Sequence, residues 1–126
     1  MNRTARNAGL AISAGRAAFG AAMVAAPGQI GEAWIGEPGR YERVALVTRS
    51  LGARDIALGA GGAWALACGN VQAARLLLAG QALADVADFA GTLAVRDRLP
   101  EGSARWTPIL AGLSAAAVGM TAALLD

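Results

Sequence analysis

Six ionisable side chains interrupt stretches that otherwise read as membrane-spanning helices: Arg16, Arg49, Arg54, Asp55, Asp85 and Asp88. Charge at bilayer depth is costly and normally faces a bundle interior or a water-filled cavity, so these positions are the first place to look for function. Arginine stays charged at any relevant pH. Arg16 and Arg54 can therefore hold negative charge, as ligand-binding candidates together with Gln81. Asp55, Asp85 and Asp88 can set arginine geometry, or one of them can act as the acid or base. If Arg49 turns out towards the interface, three carboxylates face two central guanidiniums. Burial favours the protonated form of a carboxylate in excess, which is the state a proton carrier or general acid uses.

The spacing places these groups on shared faces. Gln81, Asp85, Asp88 and Thr92 follow the i, i+4, i+7, i+11 pattern and form one polar stripe on a helix. Gly52, Asp55, Gly59 and Gly62 form a stripe of small residues with a carboxylate in it, and Gly9, Ser13, Arg16 and Gly20 do the same with a guanidinium. Small residues let membrane helices approach closely, so the charges are expected on helix–helix faces. Energetics require that they be paired. An Asp or Arg at a helix centre costs about 2.5–3.5 kcal/mol to insert, while Leu, Val or Phe each return only about 0.3–0.6 kcal/mol. A helix carrying both Asp85 and Asp88 is marginal alone, and Arg16 and Arg54 are its natural partners. The competing reading is a buried polar clasp that fixes helix register.

Four apolar segments must position these groups: residues 8–26, 44–67, 71–95 and 106–125. Each has the length a helix needs to cross about 30 Å of hydrocarbon. Alternation with period two is absent, so strands are not expected. The expected architecture is one all-α domain over residues 1–126, an up-down bundle of four transmembrane helices, in which Arg16, Arg54, Asp55 and Asp85 share one depth. Residues 27–43, rich in Pro and Gly, read as a loop with one interfacial turn around 30–35; Gly69-Asn70 reads as a tight turn, and residues 96–105 as a short polar loop. Gly112, Ala116, Gly119 and Ala123 give the last segment a small-residue seam, and Trp34, Trp64 and Trp106 fall near segment ends, as in an aromatic belt.

Composition supports this outline and removes alternatives. The chain has 126 residues, 56% hydrophobic and 16% charged, against roughly 45–50% and 25% in soluble domains. Much of the apolar content is Ala, with 33 Ala against 15 Leu, so the membrane reading rests on run length. A soluble Ala-rich bundle is the alternative, but it needs polar outer faces, and residues 109–125 offer only Ser114 and Thr121 as hydroxyls and no charge. There is no His and one cysteine, Cys68. That excludes an intrachain disulfide, a His/Cys zinc site and Ser-His-Asp or Cys-His catalysis. No metal or cofactor is expected. A net charge of +2 with few aromatics argues against nucleic acid as a partner.

Topology is weakly coded. The first and third loops carry Arg40, Arg43, Arg96, Arg98 and Arg105, which favours both termini outside, while Arg3 and Arg6 oppose it. The basic start and Val24-Ala25-Ala26 imitate a cleaved signal, but Arg16 interrupts the apolar run that such a signal needs.

The run Leu51-Gly52-Ala53-Arg54-Asp55-Ile56-Ala57-Leu58-Gly59, followed by an Asp-bearing third helix, resembles small four-helix integral-membrane families of unknown function common in actinobacteria. The resemblance covers about residues 8–125, and in outline the chain is loosely similar to the DoxX-like proteins. It implies four membrane helices and no established activity. The expectation is therefore a protein of the cytoplasmic (inner) membrane with the lipid bilayer as solvent. Its Arg/Asp cluster is a site for a small lipophilic or anionic molecule, with proton-transfer chemistry if it is an enzyme. The alternative is a non-catalytic accessory subunit, paired with itself or with a larger membrane protein, in which the cluster is a clasp.

Overall fold

A computed structural model describes residues 2–125. Within them the chain forms five α-helices: α1 (Arg3–Ala25), α2 (Pro27–Ile35), α3 (Glu42–Ala67), α4 (Val71–Ala94) and α5 (Glu101–Ala123). Short 3₁₀ turns occupy Glu37–Arg40 and Arg96–Arg98, and no strand occurs among the described residues. The all-α expectation holds.

Local signals set the helix ends. The Asn2 side chain accepts from the backbone N–H of Thr4 and Ala5, and Asn70 accepts from that of Ala73 at 3.1 Å, each satisfying donors that a helix start leaves open. Pro27 starts α2 from its first turn, where its missing N–H costs nothing. Gly36 and Gly69 adopt φ of +82° and +71°, the left-handed conformation that lets the chain turn after α2 and α3. Residues 27–35 are thus a full helix, where a loop with a single turn was expected.

Three helices, α1, α4 and α5, are long and apolar enough to cross a membrane. The expectation of four is corrected: α3 is long enough but falls short in hydropathy. It carries Arg54 and Asp55 side by side, and Gly52, Gly59, Gly61 and Gly62 contribute almost no hydrophobicity. The outside of the protein is apolar. Phe19, Leu76, Leu83, Leu110, Leu113 and Met120 are each more than half exposed. Large exposed apolar patches are rare on soluble monomers and mark contact with membrane or protein.

The helices pack in a ring, with α1 against α3 and α5, and α4 against α3 and α5. The closest seam joins α1 to α3 along their glycines. A Cβ at Gly59 would stand 2.5 Å from the Ser13 carbonyl oxygen, and one at Gly20 would stand 2.5 Å from that of Gly52. At one end Leu66, Leu78, Val118 and Leu125 make a small apolar core with Ala5, Ala65 and Ala74. At the other end α2 packs across α3 and touches α1 and α5. Arg40 pairs with Glu32 of α2 at 2.6 Å; both are exposed, so the pair adds little stability.

Candidate functional site

The layer between the apolar core and α2 holds the charges. Arg16 of α1 donates through Nη1 to Asp55 of α3 at 3.1 Å and through Nη2 to Asp85 of α4. Arg54 of α3 donates to Asp55 at 3.0 Å and to Asp88 of α4 at 3.1 Å. Five of the six ionisable residues therefore form one continuous network, in which Asp55 is shared by both guanidiniums. The side chains of Arg16, Asp55 and Asp85 are 8%, 7% and 9% exposed, whereas Arg54 and Asp88 sit further out at 30% and 24%. Arg49 is exposed and stands outside the network.

α5 joins through a residue that sequence reasoning had noted only as a hydroxyl. Ser114 Oγ donates to Asp85 Oδ2 at 2.6 Å. Its place also shows that α5 presents a different face from the one expected. Val118, Thr121 and Leu125 are buried and Ser114, on the same face, is half-buried, while Ala116 and Ala123 of the anticipated seam are exposed. In a helix without charged residues beyond its first turns, no polarity contrast reveals the inward face. On α1, α3 and α4 the expected faces are the buried ones: Gly9, Ser13 and Gly20; Gly52, Asp55, Gly59 and Gly62; Gln81, Asp85 and Thr92.

The five charged residues also line a cavity of about 490 Å³. Arg16, Arg54, Asp55, Asp85, Asp88 and Ser114 supply its polar part. Phe19 and Met23 of α1, Ile30 and Trp34 of α2, and Leu110 of α5 supply apolar walls. A pocket of this size, mostly apolar with a few converging polar groups, is the usual form of a small-molecule site. The contribution of α2 was not legible in the sequence, because its Pro and Gly content reads as loop.

Gln81 lies outside this lining. It is fully buried, and its Nε2 donates to Ser13 Oγ and to the Leu58 carbonyl oxygen, both at 3.1 Å. It ties α4 to α1 and α3 beneath the charged layer. Replacing it with Leu removes both bonds and is expected to cost about 1 kcal/mol, measured as a lower unfolding midpoint in detergent. Among the described residues no group of His, Cys, Asp or Glu is arranged to hold a metal ion.

The arrangement can bind, because polar groups converge at the end of an apolar chamber, and it sets three carboxylates against two guanidiniums within one layer. Compared with known proteins, the chain matches no family model, no curated sequence and no solved structure.

Proposed function

We propose that this is a small integral protein of the cytoplasmic (inner) membrane that holds a small lipophilic molecule over its Arg/Asp cluster. The observation that carries this reading is the coincidence of cluster and cavity: all five networked charges line the same apolar-walled chamber. A network serving register alone needs no empty volume beside it.

The test is native mass spectrometry of protein extracted gently from its own membrane, beside the variant Leu110→Trp. Leu110 lines the cavity and belongs to no ion pair, so added indole bulk there is aimed at the chamber and leaves the network's own side chains in place. The expected result is a small-molecule adduct on the native chain, reduced at least tenfold in the variant, with the unfolding midpoint little changed. A bare native chain would overturn the reading.

A second reading has its own support. The network joins α1, α3 and α4, and Ser114 brings in α5, as a register clasp for an accessory subunit of a homo-oligomer or larger membrane protein would. Asp88→Asn separates the two. Asp88 is part-exposed and among the described residues pairs only with Arg54, so a site predicts a folded protein with altered ligand retention and a loss under about 1 kcal/mol. A clasp predicts poor accumulation in the membrane and retention of a stoichiometric protein partner.

A further inference from the structure

The balance of charge around the cavity sets the sign of the head group it can hold. Asp55, Asp85 and Asp88 stand against Arg16 and Arg54, which leaves one negative charge in excess when all five are ionised. Among the described residues no other ionisable side chain lines the cavity, and the hydroxyl of Ser114 is already given to Asp85. Apolar walls screen little, so a charge on one side of such a chamber is felt across it. Selection by sign therefore does not depend on reaching any one buried atom.

The excess is least compensated where an occupant can meet it. Asp55 accepts from both guanidiniums, and Asp85 accepts from Arg16 and from Ser114. The Asp88 carboxylate has Arg54 alone among the described residues, at 3.1 Å through Oδ2 and 3.5 Å through Oδ1. It is also the most exposed of the three, at 24% against 7% for Asp55 and 9% for Asp85. The positive groups are held back. The two terminal nitrogens of Arg16 go to Asp55 and Asp85, and its Nε has essentially no accessible surface. Arg54 lies between Asp55 and Asp88, so an anionic head there raises the excess from one negative charge to two. An uncharged head leaves the excess as it is. A positive head removes it, and a cation taken into an apolar chamber in turn needs a carboxylate partner. Phe19 and Trp34 add aromatic rings to the walls, and such rings attract a quaternary nitrogen placed over their faces.

We infer that the cavity takes a lipophilic monocation, a positively charged nitrogen on an apolar body, with the nitrogen beside Asp88 and the body along Phe19, Met23, Trp34 and Leu110. This rests on the reading of the cavity as a lipophile site. The cation brings the layer to neutrality without breaking an ion pair, and the Arg16 bridge between Asp55 and Asp85 stays intact.

The experiment offers the protein, in phosphatidylcholine nanodiscs, an equimolar set of probes that share a tetradecyl chain: tetradecyltrimethylammonium, tetradecanol and tetradecyl sulfate. None of the three changes charge at a working pH. Retention is read by native mass spectrometry as the excess over Leu110→Trp in the same discs. The expected result is that the ammonium is retained about tenfold over either other probe. Asp88→Asn leaves two carboxylates against two guanidiniums and is expected to bring the ammonium down to the level of the alcohol. Asp88→Glu keeps the charge and is expected to keep the preference. A merely structural role for Asp88 would instead lower all three probes together, and the inference would fall. It falls too if Asp88→Asn retains the preference, since the excess charge is then not what selects. If the alcohol or the sulfate is retained on the native chain as well as the ammonium, the inference about the head group falls and the lipophile site stands. If no probe is retained above the Leu110→Trp background, both fall. Should Asp88→Asn fail to accumulate, the three probes on the native chain decide alone.

Discussion

Arg16→Leu is expected to destabilise the protein by about 3–5 kcal/mol, the range for breaking a buried ion pair from one side. The substitution strands two carboxylates. Asp85 keeps only the Ser114 hydroxyl, and Asp55 must share Arg54 with Asp88. Three aspartates then face one arginine in a layer where Asp55 and Asp85 are less than a tenth exposed. The variant should accumulate poorly or unfold at much lower denaturant. Arg16→Leu combined with Asp85→Leu is the informative partner. It removes both ends of one pair, and replacing a buried pair by apolar side chains is often neutral. Most of the lost stability should return, giving a large coupling energy in a double-mutant cycle. A double variant no better than Arg16→Leu alone would mean that the side chain acts through packing rather than charge.

Gly59→Ala is expected to destabilise the α1–α3 seam strongly for a single added methyl group. Its Cβ would fall 2.5 Å from the Ser13 carbonyl oxygen and 2.6 Å from the Ala17 nitrogen, both backbone atoms that no rotamer change can move. α1 and α3 would have to separate along a seam that also holds Gly20 against Gly52, and Arg16 would be drawn off Asp55. Overpacking costs about 1–3 kcal/mol, occasionally more, and here the clash is with a helix backbone, which places the variant at the upper end. Gly91→Ala in α4 and Gly119→Ala in α5 provide the control, since a Cβ at either position meets nothing within 4 Å. Those changes should leave stability unchanged or raise it by about 0.5–1 kcal/mol through helix propensity. Unfolding in mixed detergent micelles distinguishes the three.

The charged layer was legible because helical periodicity converts spacing into direction. Gln81, Asp85 and Thr92 stand out against an apolar background, and the glycines at 52, 59 and 62 mark the face that another backbone approaches. The same contrast is missing where the sequence misled. In α5 nearly every residue after Arg105 is apolar, so the seam through Ala116 and Ala123 looked as good as the face through Val118 and Thr121 that is actually buried. α2 was hidden because Pro27 and Gly31 read as helix breakers. Pro27 instead opens the helix, and Gly31 permits contact with Gly39. α3 was overrated because a count of unbroken length ignores how little its glycines and the Arg54-Asp55 step contribute to hydropathy. The cavity itself was beyond sequence reasoning: it depends on α2 crossing the end of the other helices, which no local pattern encodes.

The order in which these charges are synthesised has a consequence for biogenesis. Arg16 is translated 39 residues before Asp55 and 69 residues before Asp85. At roughly 5–20 residues per second, its guanidinium waits several seconds for its second carboxylate. During that interval α1 is an apolar helix with an unneutralised cation at its middle, and the Arg54-Asp55 step of α3 is the first relief to arrive. Nascent chains arrested before α4 emerges should therefore be the species that chaperones and membrane proteases engage, and the arrival of Asp85 marks the point at which the first helix can settle.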